Sequence, residues 1–256
     1  MTARPSHEDR IVTQFGPRAA AYVTSTVHAN GPDLDRIEAA AQATRPKRAL
    51  DLGTGGGHVS YRLARHCGEV VACDLSDAMV AAVLATAAGQ GLANVGGAVA
   101  PAEALPFAAD SFDFLACRMT AHHWRDWEAG LREACRVLRP GSEALFIDVV
   151  APDEVLADTH LQAIELLRDP SHVRDYRADE WLAALGRAGF TVRRTVTHRL
   201  RMDFAEWIAR MAPPASHVAA IRSLLEGASD GVKRALTVEP DGSFSFDVLT
   251  IEASRA

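Results

Sequence analysis

The sequence predicts an α/β fold, a mostly parallel sheet with helices on both faces, and three observations carry that reading. Short apolar runs bounded by turn signals alternate with segments of helical period, as parallel strands joined by crossover helices require. One run breaks into Gly53, Gly55, Gly56 and Gly57, and the next ends on Asp74, about twenty residues further on, as nucleoside-binding units do.

Taken in order, Pro17–His28 and Asp33–Ala43 read as two helices parted by Asn30-Gly31-Pro32. Arg48–Leu52 is the first core strand, and the glycines after it make a tight loop into a helix over His58–His66. With no Cβ such a loop brings backbone close to a ligand, and four glycines in five residues cost more backbone entropy than packing explains. Val70–Leu75 is the second strand. Asp74 at its end can accept hydrogen bonds from ribose hydroxyls, or it can cap the helix Asp77–Ala88 together with Ser76. Val95–Ala100, Phe112–Cys117 and Ala144–Val150 complete five core strands, and the helix Asp126–Leu138 stops at Arg139-Pro140-Gly141. Ligands in such sheets sit beyond the carboxyl ends of the strands.

After the core, Val155–Arg168 and Asp179–Ala188 read as helices, and Phe190–Leu200 and Phe244–Ile251 as strands. Between those strands, Met202–Thr237 holds three short helices around Pro213-Pro214 and Ser229-Asp230-Gly231. There is no internal repeat or low-complexity linker, so one domain is expected: an N-terminal helical part (1–46), a core (47–201), a helical insertion (202–237) and a last strand (238–256).

Composition narrows the function. The 256 residues are 48% hydrophobic, enough for a full core, and 27 Lys and Arg against 33 Asp and Glu give a net charge of -6. That balance excludes a chain that depends on phosphate contacts, so nucleic acid is not the expected partner. No apolar stretch is long enough to span a membrane, and the first ten residues lack the apolar core of a signal peptide, which points to a cytoplasmic protein. The four cysteines form no C-x-x-C pair and the ten histidines no H-x-x-x-H spacing, so no metal is expected and the thiols read as buried and free.

The glycine spacing is G-x-G-x-G with Asp51 before it, not the G-x-G-x-x-G that seats a dinucleotide. With this loop, P-A-E-A-L-P-F at Pro101–Phe107, D-S-F-D at Asp110–Asp113, A-H-H-W at Ala121–Trp124 and R-V-L-R-P-G at Arg136–Gly141, the chain resembles the class I S-adenosylmethionine-dependent methyltransferases. The likeness is to their small-molecule branch, which includes the quinone-biosynthesis C-methyltransferases, and it spans Arg48 to Val150.

The resemblance implies a Rossmann-like, seven-stranded, mostly parallel sheet with an antiparallel last strand and a helical cap insertion. It implies S-adenosyl-L-methionine as cofactor and S-adenosyl-L-homocysteine as product; the apolar set Phe204, Trp207, Ile208, Met211 and Leu224 of the cap would enclose a small, apolar or aromatic methyl acceptor. The cap could equally form a dimer surface, so a monomer or a homodimer is expected. Gly53 and Gly55 would approach the methionine part, with Asp51 on its ammonium group or else capping the loop. Asp74 would hold the ribose, and Leu75 and Met79 would flank the adenine. Ala102 would offer its backbone N–H to the ring beside Glu103, although Pro101 stands where the family carries an acid. Arg118 to His123 would face the donor methyl, with His122 and His123 as general-base candidates or as structural residues packed on Trp124. Phe15-Gly16 and Tyr22 match an F-G-x-x-A-x-x-Y pattern and would close over the cofactor as a lid, if they are not simply helix packing. The alternatives are a cofactor-binding module without transfer and a nicotinamide-dependent oxidoreductase.

Overall fold

The computed structural model describes residues 6–18 and 31–256. Its centre is a seven-stranded sheet in the order β3-β2-β1-β4-β5-β7-β6. The strands are β1 (Arg48–Leu52), β2 (Glu69–Asp74), β3 (Val95–Val99), β4 (Phe112–Arg118), β5 (Leu138–Val150), β6 (Phe190–Met202) and β7 (Phe244–Arg255). β1 pairs parallel with β2 and β4, β2 with β3, and β4 with β5, whereas β7 runs antiparallel to both β5 and β6. The expected antiparallel last strand is therefore present, but it lies inside the sheet, and β6 forms the edge.

Side chains of the central strands alternate between two apolar layers, as a period of two demands. Phe114, Ala116, Leu145 and Ile147 join one layer with Leu34, Ile37 and Leu161. Leu115, Cys117, Ala144 and Phe146 face the other, against Leu131, Ala134, Trp181 and Leu185. Cys67, Cys73, Cys117 and Cys135 are buried free thiols.

Most helices fall where their pattern put them, including Pro32–Thr44, His58–Leu63, Asp77–Gly89 and Trp127–Val137, the last capped by the Asp126 side chain. The three helices between β6 and β7 are Phe204–Met211, Ala215–Glu226 and Asp230–Ala235. Their Phe204, Trp207, Ile221, Leu225 and Val232 are part of the first apolar layer.

Two local readings change. Arg139-Pro140-Gly141 does not separate helix from strand: β5 starts at Leu138, and the pairing with β4 jumps from Phe112↔Leu138 to Phe114↔Glu143. The three residues form an irregularity within the strand, with Gly141 at φ 76°. A further helix, His7–Phe15, precedes the expected ones and begins in a capping box, in which Ser6 Oγ accepts from the Asp9 N–H while Asp9 accepts from the Ser6 N–H. A single 3₁₀ turn, Gly16–Arg18, follows it. Tyr22 and most of the expected helix Pro17–His28 lie outside the described residues. Among the described residues no helix is long and apolar enough to cross a membrane.

Candidate functional site

The carboxyl ends of β1, β2, β4 and β5 open on one cavity of about 250 Å³, a small-molecule rather than a macromolecular volume. Phe15, Asp51, Gly53, Gly55, Asp74, Leu75, Met79, Ala102, Glu103, Arg118, His122 and His123 all line it.

Asp51 organises the glycine loop. Its Oδ2 accepts from Thr54 Oγ1 at 2.6 Å, Ser60 Oγ at 2.6 Å and the Ser60 N–H at 3.0 Å. Burial raises its carboxyl to about 6, and these hydrogen bonds oppose the rise. The loop-capping reading of Asp51 thus describes its Oδ2. Asp74 ties the same loop to β2: Oδ2 accepts from the Gly55 N–H and Oδ1 from the Ser76 N–H, both at 2.9 Å. Burial also raises the Asp74 carboxyl.

The glycines differ in what they do. A Cβ on Gly53 would lie 2.3 Å from Thr120 Oγ1, and one on Gly57 2.6 Å from the Tyr61 ring, so both are fixed by packing within the protein. A Cβ on Gly55, at φ 49°, would meet no protein atom within 4 Å. The space before Gly55 belongs to the cavity, which is the cradle that a closely approaching ligand needs.

Glu103 half-lines the cavity and accepts from the Asp126 N–H at 3.1 Å, which fastens the loop after β3 to the start of the helix Trp127–Val137. Arg118 also reaches the cavity, but its guanidinium is ion-paired with buried Asp33, docking the helix Pro32–Thr44 to the end of β4. Phe15 packs edge-on against the His123 ring at 5.1 Å, and His7 Nε2 donates to the His123 carbonyl at 2.9 Å. Arg18 donates to the Met211 carbonyl at 2.9 Å, so the N-terminal helix and its turn bridge the His123 loop and the helix Phe204–Met211.

The other half of the cavity holds residues that sequence reasoning did not single out. Asp148, on β5, accepts from His122 Nδ1 at 2.6 Å, and its two oxygens also take the Ala121 and Val149 N–H groups at 2.9 Å. Burial opposes charge on His122, but Asp148 outweighs it and lifts the imidazole to about 9. His123 moves the other way, to about 4, through burial and the adjacent His122 charge. His172 is held far down by burial and by both neighbouring histidines. Glu165, Arg168, Asp169, His172 and Asp175 complete this wall, with Trp207, Met211 and Phe246 as its apolar part. Of the expected cap residues, Trp207 and Met211 reach the cavity, whereas Phe204, Ile208 and Leu224 pack in the apolar layer. One signal could have found Asp148: it is the lone acid in the apolar run Ala144–Val150. Among the described residues, no group of three or more His, Cys, Asp and Glu could hold a metal ion.

These shifts give a pH dependence of stability. His122 is raised above the ordinary imidazole value of 6.5, so its pair with Asp148 contributes fully below pH 6.5 and is lost as pH rises through about 9. In urea titrations, His122→Gln should be most destabilised relative to wild type at pH 6, and the gap should close by pH 9. A gap that is constant across this window would contradict the ion pair.

A family model described as a methyltransferase domain matches residues 50–146. The uncharacterized protein YafE of Escherichia coli K12 is 38% identical over 204 residues, 80% of this chain and 99% of that protein. The uncharacterized methyltransferase YcgJ of Bacillus subtilis is 33% identical over 95% of this chain and 98% of that one. The crystal structure of YcgJ superposes with a TM-score of 0.83, covering 87% of this chain and 97% of that chain. The ubiquinone/menaquinone biosynthesis C-methyltransferase UbiE of Geobacter sulfurreducens is 35% identical, over 41% of this chain and 43% of that protein.

Proposed function

We propose that this chain, which belongs to the S-adenosyl-L-methionine-dependent methyltransferases, moves a methyl group to a small organic acceptor with an apolar or aromatic body by in-line displacement. The observation that carries the reading is the pairing of an open cradle at Gly55 with Asp74 at the end of β2, in one cavity with the apolar wall of Trp207, Met211 and Phe246.

The residues present fit the cofactor. Asp74 would hold the ribose hydroxyls, Leu75 and Met79 would flank the adenine, and Ala102 would offer its N–H to the ring, with Pro101 contributing no acid there. The Gly53–Gly55 backbone would take the methionine part, and Asp51 would keep that backbone in place through Thr54 and Ser60. S-adenosyl-L-methionine, when bound, supplies a methyl on a positively charged sulfur. The protein's task is then alignment and exclusion of water, and alignment alone can supply a large part of the rate. Phe15 and the helix His7–Phe15 would cover the mouth, and Trp207 and Met211 would set the acceptor's position.

The test is binding followed by turnover. Calorimetry should show S-adenosyl-L-methionine and S-adenosyl-L-homocysteine binding to wild type, and no binding of NAD. Asp74→Ala should weaken both by about 1–3 kcal/mol, the range for charge-assisted hydrogen bonds. Wild-type affinity in Asp74→Ala would remove Asp74 from the ribose site. Release of S-adenosyl-L-homocysteine with an acceptor would separate an enzyme from a module that only binds.

A further inference from the structure

We propose that His122, oriented by Asp148, receives an ionised oxygen of the methyl acceptor, and that the acceptor is a small organic acid (a phenol, enol or carboxylic acid) bound as its anion. The proposal rests on the methyltransferase reading and adds the acceptor's chemical class.

Three histidines meet in this half of the cavity, with ring centroids of His122 4.2 Å from His123 and 5.9 Å from His172. Their hydrogen bonds fix where the protons sit. Ser171 O can only accept, and the Ser171 hydroxyl donates to Asp169 Oδ1 at 2.6 Å, so His123 Nδ1, 3.2 and 3.3 Å from these two oxygens, must carry a hydrogen. His172 Nε2 faces Gln162 Oε1 at 2.9 Å, an oxygen that also accepts from the Asp175 N–H, so His172 carries its hydrogen there. Both rings are held neutral, and each turns a lone-pair nitrogen away from those partners.

His122 is different. Asp148 has both oxygens anchored on backbone N–H groups and can only accept from His122 Nδ1. The ring lines the cavity, and its Nε2 has no protein acceptor among the described residues. The Asp148 carboxylate 2.6 Å from Nδ1 favours the charged ring, which then presents its second N–H to a ligand.

Glu165 and Asp175 add to Asp148 in favouring the charge on His122, but among the described residues none of the surrounding side chains hydrogen-bonds its Nε2. Arg168 is ion-paired with Glu165 at 3.3 Å, Asp169 is occupied by Ser171, and Asp158 by Arg174 at 2.8 Å. Asp175 is 2% exposed with an Oδ2 that has no hydrogen-bond partner, and burial pushes its carboxyl well up, towards the neutral form. Nor is any of the three histidines a base at neutral pH, since His122 is already protonated and the other two are weak. An acceptor that arrives as its anion needs no base. Its oxygen gives an electron pair to the methyl carbon, the carbon–sulfur bond breaks, and that pair goes to sulfur. The acceptor's negative charge and the sulfonium's positive charge cancel, no proton moves, and His122 keeps its own. Asp148 is then a positioning residue.

The experiment uses the whole protein saturated with S-adenosyl-L-homocysteine and labelled with ¹⁵N-histidine. Benzoate is titrated against benzamide, its neutral counterpart of nearly the same shape, with calorimetry and imidazole resonances as readouts. Benzoate should bind at least about tenfold tighter, as one charge-assisted hydrogen bond gives, and should shift the His122 resonances. His122→Gln should lose that preference while keeping its affinity for S-adenosyl-L-homocysteine, and Asp148→Asn should weaken it. Equal affinities, no benzoate binding, shifts that spare His122, or a preference that survives in His122→Gln would each overturn the proposal. If S-adenosyl-L-homocysteine itself fails to bind wild type, the methyltransferase reading falls, a distinct result from the loss of anion preference.

Discussion

Gly55→Val is expected to lose about a hundredfold or more in affinity for S-adenosyl-L-methionine, because the side chain would enter the space beside the loop backbone where it lines the cavity. No protein atom lies within 4 Å of the new Cβ, so the loss cannot be attributed to a clash inside the protein. Backbone strain is a separate cost, since a valine at φ 49° costs about 1–2 kcal/mol of stability. Gly141 supplies the control: it too has a positive φ, 76°, and open space at its Cβ, but it lies on the β5 irregularity away from the cavity. Gly141→Val should lose similar stability in urea titrations and keep full affinity by calorimetry. Full affinity in Gly55→Val as well would take the glycine loop out of the cofactor site.

Trp207→Ala is the second large effect, and the structure changes what it tests. A helix-period aromatic in the insertion reads as an acceptor-pocket wall, and Trp207 does line the cavity. It is also only 1% exposed, with its ring edge-on to Phe244 at 4.9 Å and under the Arg168 guanidinium at 4.8 Å. Truncation should therefore cost about 3–5 kcal/mol of unfolding free energy, the range for a buried aromatic. Acceptor kinetics on that variant would mix folding with recognition. Met211→Leu changes the shape of the wall at less than about 1.5 kcal/mol for a near-conserved volume, Trp207→Phe leaves a smaller cavity than Ala does, and both should raise acceptor KM with cofactor affinity nearly intact. A Trp207→Ala protein as stable as wild type would show that the helix Phe204–Met211 is loosely packed.

The strand ends were legible because they are announced locally. Four glycines after Leu52 and an acid closing Glu69–Asp74 are features of single short segments, and the sheet's parallel core follows from their alternation with helices. The cap helices were visible for the same reason, bounded by Pro213-Pro214 and Ser229-Asp230-Gly231. The roles of the histidines were not. His122 and His123 are neighbours of like type, but Asp148 from the adjacent strand raises His122 while burial and the His122 charge lower His123, whose Nδ1 is held by Ser171 from the loop after Arg168. Sequence distances of 26 and 48 residues separate the partners, and no local pattern encodes those contacts. The helix His7–Phe15 was missed because it is short, mostly polar and buries no residue completely; the Ser6 and Asp9 capping pair marks its start.

The place of β7 bears on how the chain is made. β7 pairs with β5 along Glu143–Val150 and with β6 along nearly its whole length, yet it comes after both in the chain, as the seventh strand of this sheet. β1 to β5 can assemble as they emerge, because each parallel neighbour is already synthesised or follows soon after. β6 must wait with no partner while the three cap helices are translated, its hydrogen-bonding edge exposed. Its arginines, Arg193, Arg194, Arg199 and Arg201, would then repel a second waiting copy on a neighbouring ribosome, the kind of charge that keeps an open edge from pairing wrongly. When Phe244–Arg255 enters between β5 and β6, β6 and the second edge of β5 gain their hydrogen bonds and Phe244 and Phe246 reach the apolar layer. Pairing of the twelve residues Phe244–Arg255 therefore closes the sheet late, and a nascent chain released before Phe244 would leave β6 and one edge of β5 open to aggregation.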